Sequence, residues 1–240
     1  MYSGTIYRIK LHQKIMTSSK ILLTLIISLS VGIPIVYATS YATLHLDLVS
    51  GGMKEGSMIT FSGQLTSLNG TALLHRTIFI EDDANFDVRP DIIIAITTTD
   101  SDGKFLVSWK AVPKDNGNSF HFYAKYLGGN YFGYTRSETY EAIVEHTNQS
   151  SIDTIPSKTI PNWFENASKM WYDGQIRDVD YSWSIKNLIE HGIIKSNITP
   201  DVEFKLPAWL KNDANWISEG EISKEEYVNN LQYLLDHNII

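Results

Sequence analysis

The chain contains no cysteine. That excludes disulfides, thiolate nucleophiles and thiolate-held metals, among them the blue-copper centre found on some β-sandwiches. Stability must then come from burial, for which 240 residues are enough. Positive charge is also scarce, with 20 Lys and Arg against 27 Asp and Glu and a formal net charge of −7. A surface of that sign repels phosphate backbones, so nucleic acid is not an expected partner. Catalytic signatures are missing too. The sequence has no Gly-x-Ser-x-Gly, no His-Glu-x-x-His, no phosphate-cradling glycine loop and no paired carboxylates on a defined scaffold. A non-catalytic chain with no metal or cofactor is the expectation, and an unrecognised hydrolase is its rival.

The positive charge that exists is front-loaded. Arg8, Lys10, Lys14 and Lys20 precede an apolar run over residues 21–37, and small residues follow at Ala38 and Ala42. This is the layout of a secretory signal, or of an N-terminal transmembrane anchor if it is retained. Residues 1–42 are therefore expected to direct export, with cleavage after Ala38 or Ala42; a start at Met16 would make the signal more compact. Without them, 16 Lys and Arg face 27 Asp and Glu, a net of −11. Four glycosylation tripeptides begin at Asn69, Asn148, Asn166 and Asn197, all downstream of the signal. Together they fit a glycosylated extracellular or cell-surface chain that meets the membrane only through its N-terminal segment.

Residues 43–145 read as short strands separated by turns. Ile59, Phe61 and Leu65 alternate with Thr60, Ser62 and Gln64, and Ile78 and Ile80 alternate with Thr77 and Glu81. Further faces are Ile92, Ile94, Ile96 and Thr98, then Phe105, Val107 and Trp109, then Phe120, Phe122 and Ala124. About seven strands in about 100 residues is the count of an immunoglobulin-like sandwich. Strand direction places Glu81, Asp82, Asp83 and Asp87 at one end and Asp100 and Asp102 at the other, which rules out a shared calcium cage. Asp100-Ser101-Asp102-Gly103 reads as a hairpin turn, because Trp109 stands where a calcium loop needs its bidentate glutamate. The loop after residue 126 would carry Tyr131, Phe132, Tyr134 and Arg136 to the end that holds Asp100 and Asp102. Exposed aromatics beside an arginine make this a candidate surface for sugars or protein partners.

Residues 146–159 are polar, contain Pro156 and show no hydrophobic period, which marks a linker. A 35-residue unit then occurs twice, at 160–194 and 206–240, joined by 195–205 and related by an offset of 46. Exact matches include Pro161/Pro207, Trp163/Trp209, Gly174/Gly220, Tyr181/Tyr227, Leu188/Leu234 and His191/His237. Each unit reads as two helices. Proline opens the first and glycine closes it; Ser223 with Glu226 forms a capping box at the second. His191 and His237 each precede Gly or Asn and then two isoleucines, the pattern of a helix closing in the left-handed region rather than of a metal ligand. Trp163 and Trp209 are expected at equivalent buried positions. A duplicated unit that keeps its scaffold but no set of reactive groups points to binding or spacing. With no hydrophobic linker to couple them, sandwich and helices are expected to fold as separate units.

Ile59-Thr60-Phe61-Ser62-Gly63-Gln64-Leu65, the stretch from Thr98 to Phe105 and the stretch from Tyr123 to Tyr131 resemble the Ig-like repeats of prokaryotic surface proteins, over about residues 44–144. The resemblance implies an extracellular sandwich with no activity of its own. It does not extend to antibody domains, whose Cys-Trp-Cys pattern is absent. The helical units, with an Ile-Pro-x-Trp opening and a Gly-x-Ile-Ser-x-x-x-Tyr/Phe middle, resemble short C-terminal repeats of exported archaeal proteins. Residues 206–240 match more closely, since Arg177 replaces the capping serine in the first copy. That resemblance implies an interaction or surface-association module. The expected fold is mainly β plus α: a signal or membrane segment, an Ig-like β-sandwich, then a tandem helix-pair repeat. The expected function is an exported, cell-surface-associated, non-catalytic binding or spacer protein whose partner is a cell-envelope protein or polysaccharide. The alternative is a carbohydrate-binding module accessory to an extracellular enzyme.

Overall fold

The computed structural model describes residues 40–48, 53–84, 90–112, 119–145, 160–196 and 204–240. The expected export segment before Ser40, the expected linker 146–159, Asp87, Asn148 and Asn197 lie outside the described residues. Thr39–Ile240 form one compact unit, distinct from Met1–Ala38. The described residues hold nine strands and four helices, a mixed β and α fold, and none of these helices is long and apolar enough to cross a membrane.

The strands are β1 (Ala42–Leu48), β2 (Met53–Lys54), β3 (Met58–Ser67), β4 (Thr77–Asp82), β5 (Ile92–Thr98), β6 (Lys104–Lys110), β7 (Ser119–Tyr126), β8 (Thr135–Arg136) and β9 (Tyr140–Glu145). They make a three-stranded sheet in the order β1-β3-β6 and a second sheet in the order β2-β9-β7-β4-β5, with β8 paired to β7. Alternation sets the inner faces. Leu44, Leu46, Phe61, Leu65 and Phe105 of the first sheet meet Ile78, Ile80, Phe120, Phe122, Ala124 and Val144 of the second in one core. Gly63 stands opposite Phe105, and a Cβ there would lie 2.5 Å from the Phe105 ring and 2.1 Å from the His45 carbonyl oxygen. Only glycine fits between them. The Asp100 turn is held by the carboxylate of Asp100, which accepts the backbone N–H of Asp102 at 2.8 Å and of Lys104 at 2.9 Å.

Strand β4 is buried along its whole length. Alternation alone would leave Thr77, Phe79 and Glu81 in solvent, but helices cover them. Phe79, Ile93 and Ile96 belong to the same hydrophobic cluster as the helical residues. The four-position face expected on β5 is divided accordingly. A register shift between Ile80 and Glu81 leaves Ile92 and Ile94 toward the sandwich core and turns Ile96 toward the helices. The bulge, which the alternation pattern cannot show, makes that change.

The helices are α1 (Asn162–Tyr172), α2 (Asp178–Glu190), α3 (Leu210–Glu219) and α4 (Lys224–Asp236). Pro161 is the N-cap of α1, Gly174 follows its end at φ 72°, and Gly220 closes α3 at φ 75°. The Ser223 hydroxyl accepts the Glu226 N–H at 3.1 Å. In the first copy Asp180 replaces this cap by accepting the Arg177 backbone N–H at 3.1 Å and the Nε and Nη2 of its guanidinium at 2.9 and 2.8 Å. His191 and His237 are helix-end residues. Each ring Nδ1 lies 2.7 to 2.8 Å from the carbonyl oxygen four residues back, followed by Gly192 at φ 67° or Asn238 at φ 53°.

The two copies meet at their shared tyrosine. The hydroxyls of Tyr181 and Tyr227, equivalent positions 46 apart, are 2.6 Å from each other, with Ser168 2.9 Å from Tyr181. Trp171 stacks on Tyr181 at 4.2 Å, and Phe164 packs against both tyrosines. Burial pushes both phenols above their usual range, so they remain neutral donors and acceptors.

Two expectations need correction. Trp163 is half-buried against the helical core, but Trp209 is 50% exposed, so the repeated tryptophans are not equivalent. The sandwich and helices also share a hydrophobic cluster, although the linker itself does not supply the contact. The helix face does. A chain truncated after Glu145 would bare Phe79, Ile93 and Ile96. Expressed alone, residues 40–145 should bind a hydrophobic dye and melt well below the full chain, which should unfold in one calorimetric transition. Equal melting temperatures would mean that the helices contribute nothing to the sandwich.

Candidate functional site

Strand β4 ends in three acids, and the structure buries all of them. Glu81, Asp82 and Asp83 were expected at one end of the sandwich; Glu81 and Asp82 lie within β4, Asp83 follows it, and every one is nearly sealed from water. Buried carboxylates need partners. Glu81 accepts from Lys125 Nζ, from the Tyr123 hydroxyl and, at 3.2 Å, from Trp183 Nε1 of α2. Lys125 lies 4.7 Å from the Trp183 ring centre, and Lys186 lies 4.5 Å from the same ring. The Tyr123 hydroxyl is also 2.6 Å from Asp91. Its burial and the adjoining Glu81 charge hold that phenol far above its usual pKa.

Two further bonds tie α2 to the sheet. The Thr77 hydroxyl donates to Asp180 at 2.7 Å, and the Asn187 side-chain amide donates to the Asp91 carbonyl at 2.9 Å. Asp180, Trp183 and Asn187 recur at i, i+3 and i+7, one stripe of a helix. The first repeat is thereby locked to the second sheet through a polar contact that surrounds an apolar one. Sequence reasoning missed these residues. Their signal was divergence between the copies, since Trp183 and Asn187 align with Asn229 and Tyr233. A second signal was the near-continuous apolar run Ile92-Ile93-Ile94-Ala95-Ile96, which marks a strand buried on both faces.

The loop residues chosen from sequence do not form one surface. Tyr131 and Phe132 line a small cleft with Arg76 and Arg177, and Phe132 packs on the sandwich core. Arg136 points elsewhere. It donates to Asp83 and to Thr139 at 2.9 and 2.8 Å and lies 3.9 Å from the Tyr123 ring centre, so it joins the Glu81 cluster and not Asp100 and Asp102. Tyr134 is exposed and its phenol pKa is raised, chiefly by burial of part of the ring and against the opposing pull of Arg136. Of the glycosylation candidates, Asn69 lies in an exposed turn and accepts from the Ser67 hydroxyl and from both Thr71 donors. Asn166 is an exposed residue within α1 whose tripeptide partner Ser168 is fully buried. Among the described residues, no group of three or more His, Asp and Glu is placed to hold a metal.

The second repeat offers a different surface. Its α3 buries only Leu210, Ala214 and Ile217, whereas α1 buries Phe164, Ala167, Ser168, Met170 and Trp171. The positions equivalent to Trp163 and Met170 are Trp209 and Trp216, which are 50% and 43% exposed. Tyr233, equivalent to Asn187, is 56% exposed. The stripe equivalent to Asp180, Trp183 and Asn187 is thus exposed in the second copy, at Glu226, Asn229 and Tyr233.

No protein-family model matches this chain, and no curated protein matches it.

The Lys125–Glu81 pair allows a direct test of the docking contact. Lys125→Met leaves a buried carboxylate without its cation and should cost about 3–5 kcal/mol in denaturant unfolding. Adding Glu81→Gln should restore at least half of that. A single Lys125→Met variant as stable as the parent would show that water, not Lys125, compensates Glu81.

Proposed function

We propose that this chain is an exported, cell-surface-associated, non-catalytic binding protein in which an Ig-like sandwich carries a tandem helical docking module. One observation supports this most strongly. The same helical unit appears twice in one chain; one copy is engaged by a β-sheet, and the other leaves Trp209, Trp216 and Tyr233 in solvent. Half-exposed tryptophans are costly to leave in water and are the residue type that anchors interfaces. A three-stranded sheet packed on a larger second sheet is compatible with the Ig-like reading, although the second sheet, at six strands, is larger than in the seven-stranded form of such sandwiches. A cell-envelope protein or polysaccharide remains the proposed partner. The carbohydrate-binding alternative has less support, because the loop aromatics expected to form its platform face separate neighbours.

The tryptophans give the test. Trp209→Ala and Trp216→Ala should each keep the helical circular dichroism and change stability by less than about 1 kcal/mol, as surface substitutions do. Both should lose retention on isolated cell envelopes. Trp163→Ala, inside the occupied copy, should instead lower the melting temperature. If the Trp209 and Trp216 variants remain bound to envelopes, the second repeat is not the docking surface.

Export can be tested separately. Ser40 donates its N–H to the Tyr131 carbonyl at 2.8 Å and accepts from Gly133 at 3.3 Å, and Ala42 opens β1 opposite Ser67. A cut after Ala42 would remove these bonds, whereas a cut after Ala38 keeps them. The exported chain should therefore begin at Thr39 by intact-mass measurement; a mass that includes residues 21–37 would make this a membrane-anchored protein.

A further inference from the structure

The two sheets of the sandwich each end in a strand with one bonded neighbour, β6 in the first and β5 in the second. These two edges meet where the Thr97 hydroxyl donates to the Leu106 carbonyl at 3.3 Å. Beyond that point they part, and a cleft of about 950 Å³ opens between them. Its floor is apolar, formed by Ile94, Ile96, Val107 and Trp109, and Trp163 at the start of α1 makes the far wall. That wall is braced. Lys224 of α4 donates to the Ile160 carbonyl and to Asn162, each at 3.1 Å, and pairs with Glu165.

The backbone of β6 is oriented toward this cleft. In an antiparallel strand alternate residues turn their N–H and C=O to opposite sides. Ala111 bonds inward, donating to the Ser57 carbonyl and accepting from Gly56, both at 2.8 Å. The Leu106 carbonyl, already taken by Thr97, points outward. By that period Ser108 and Lys110 also present their backbone groups to the cleft, where among the described residues no strand is paired with them. An open edge beside an apolar floor is a template for an added strand. Sugar stacking fits less well. Trp109 is engaged edge-on by Phe120 and Phe122 at 5.3 and 5.7 Å, and Trp163 by Phe164 at 5.6 Å, so neither ring lies open as a flat platform.

We propose that this cleft binds an extended segment of a partner polypeptide, which adds to β6 by hydrogen bonds with the Ser108 and Lys110 backbone and places an apolar side chain against the floor at every second position. The site is separate from the second-repeat surface, and it stands whether or not that surface docks. It gives the chain a sequence-tolerant peptide contact, because backbone bonds supply the affinity and only alternate side chains are read.

The probe is a blocked hexapeptide alternating valine and threonine, titrated into the ¹⁵N-labelled chain. Saturable binding is expected, with the Ser108 and Lys110 amides becoming protected from exchange. Two peptide isomers, N-methylated at either the odd or the even nitrogens, separate strand addition from hydrophobic adsorption, since only one should lose binding. Ser108→Pro removes an outward N–H at a position where an edge strand tolerates proline, and it should weaken binding roughly tenfold, the scale of one or two hydrogen bonds. Should that variant fail to fold, the isomer pair still decides. The proposal fails if there is no saturable binding, if both isomers bind equally, or if a folded Ser108→Pro variant binds as the parent does. It also fails if Ser108 and Lys110 are already protected without peptide, because the chain would then fill its own edge.

Discussion

Strand β4 has no face for water, and most of the architecture follows from that. Ile78 and Ile80 fill the sandwich core while Phe79 and Glu81 lie under the helices. A sheet that is apolar on both sides cannot be an outer wall, so something must cover it. Covering it with a helix forces a second requirement, because Glu81 and Lys125 lie in the same layer and lose water when the helix docks. A buried ion pair contributes little net stability, but breaking it is severe. Trp183, Tyr123 and Asn187 satisfy the remaining polar groups, and in doing so they restrict the helix to one seating.

That seating makes two copies of one sequence unequal. The tyrosine pair Tyr181–Tyr227 and the aromatics around it treat the copies nearly symmetrically inside the helical core. Outside, symmetry ends. Among the described residues only the first copy has a sheet against it, and its stripe differs where it makes the contact: Arg177 and Asp180 stand where the second copy has Ser223 and Glu226, Trp183 reaches Glu81, and Asn187 reaches a backbone carbonyl. The second copy keeps the ordinary cap at Ser223 and bears its aromatics outward. The same unit used twice in this way has one face against a sheet and one that is exposed.

Much of the fold was legible because local chemistry enforces it. Period-two alternation in Ile59 to Leu65 and in Phe120 to Ala124 gave the right inward faces, and Pro161, Gly220, Ser223 and the histidine endings bound the helices where their backbone requirements predict. The face of β5 was misread because a bulge is a register event between two strands, and one strand's sequence does not contain it. Arg136 was placed with the wrong acids for a related reason. Its guanidinium reaches Asp83 across β7, a distance set by sheet order and not by loop order.

By itself the sequence determined most of the elements, many of their ends, the duplicated unit and the absence of any thiol chemistry, since each depends on residues close together in the chain; the helix expected to open at Pro207 begins instead at Leu210. Tertiary structure alone decided which surfaces are inside. Trp163 and Trp209 sit in the same local context, ten positions of their units are identical, and yet one is against the helical core and the other is half in water. Burial is a property of what arrives from elsewhere in the chain. For the first repeat it is the outer face of β4 and β5, more than 60 residues earlier, and for the second nothing among the described residues takes that place.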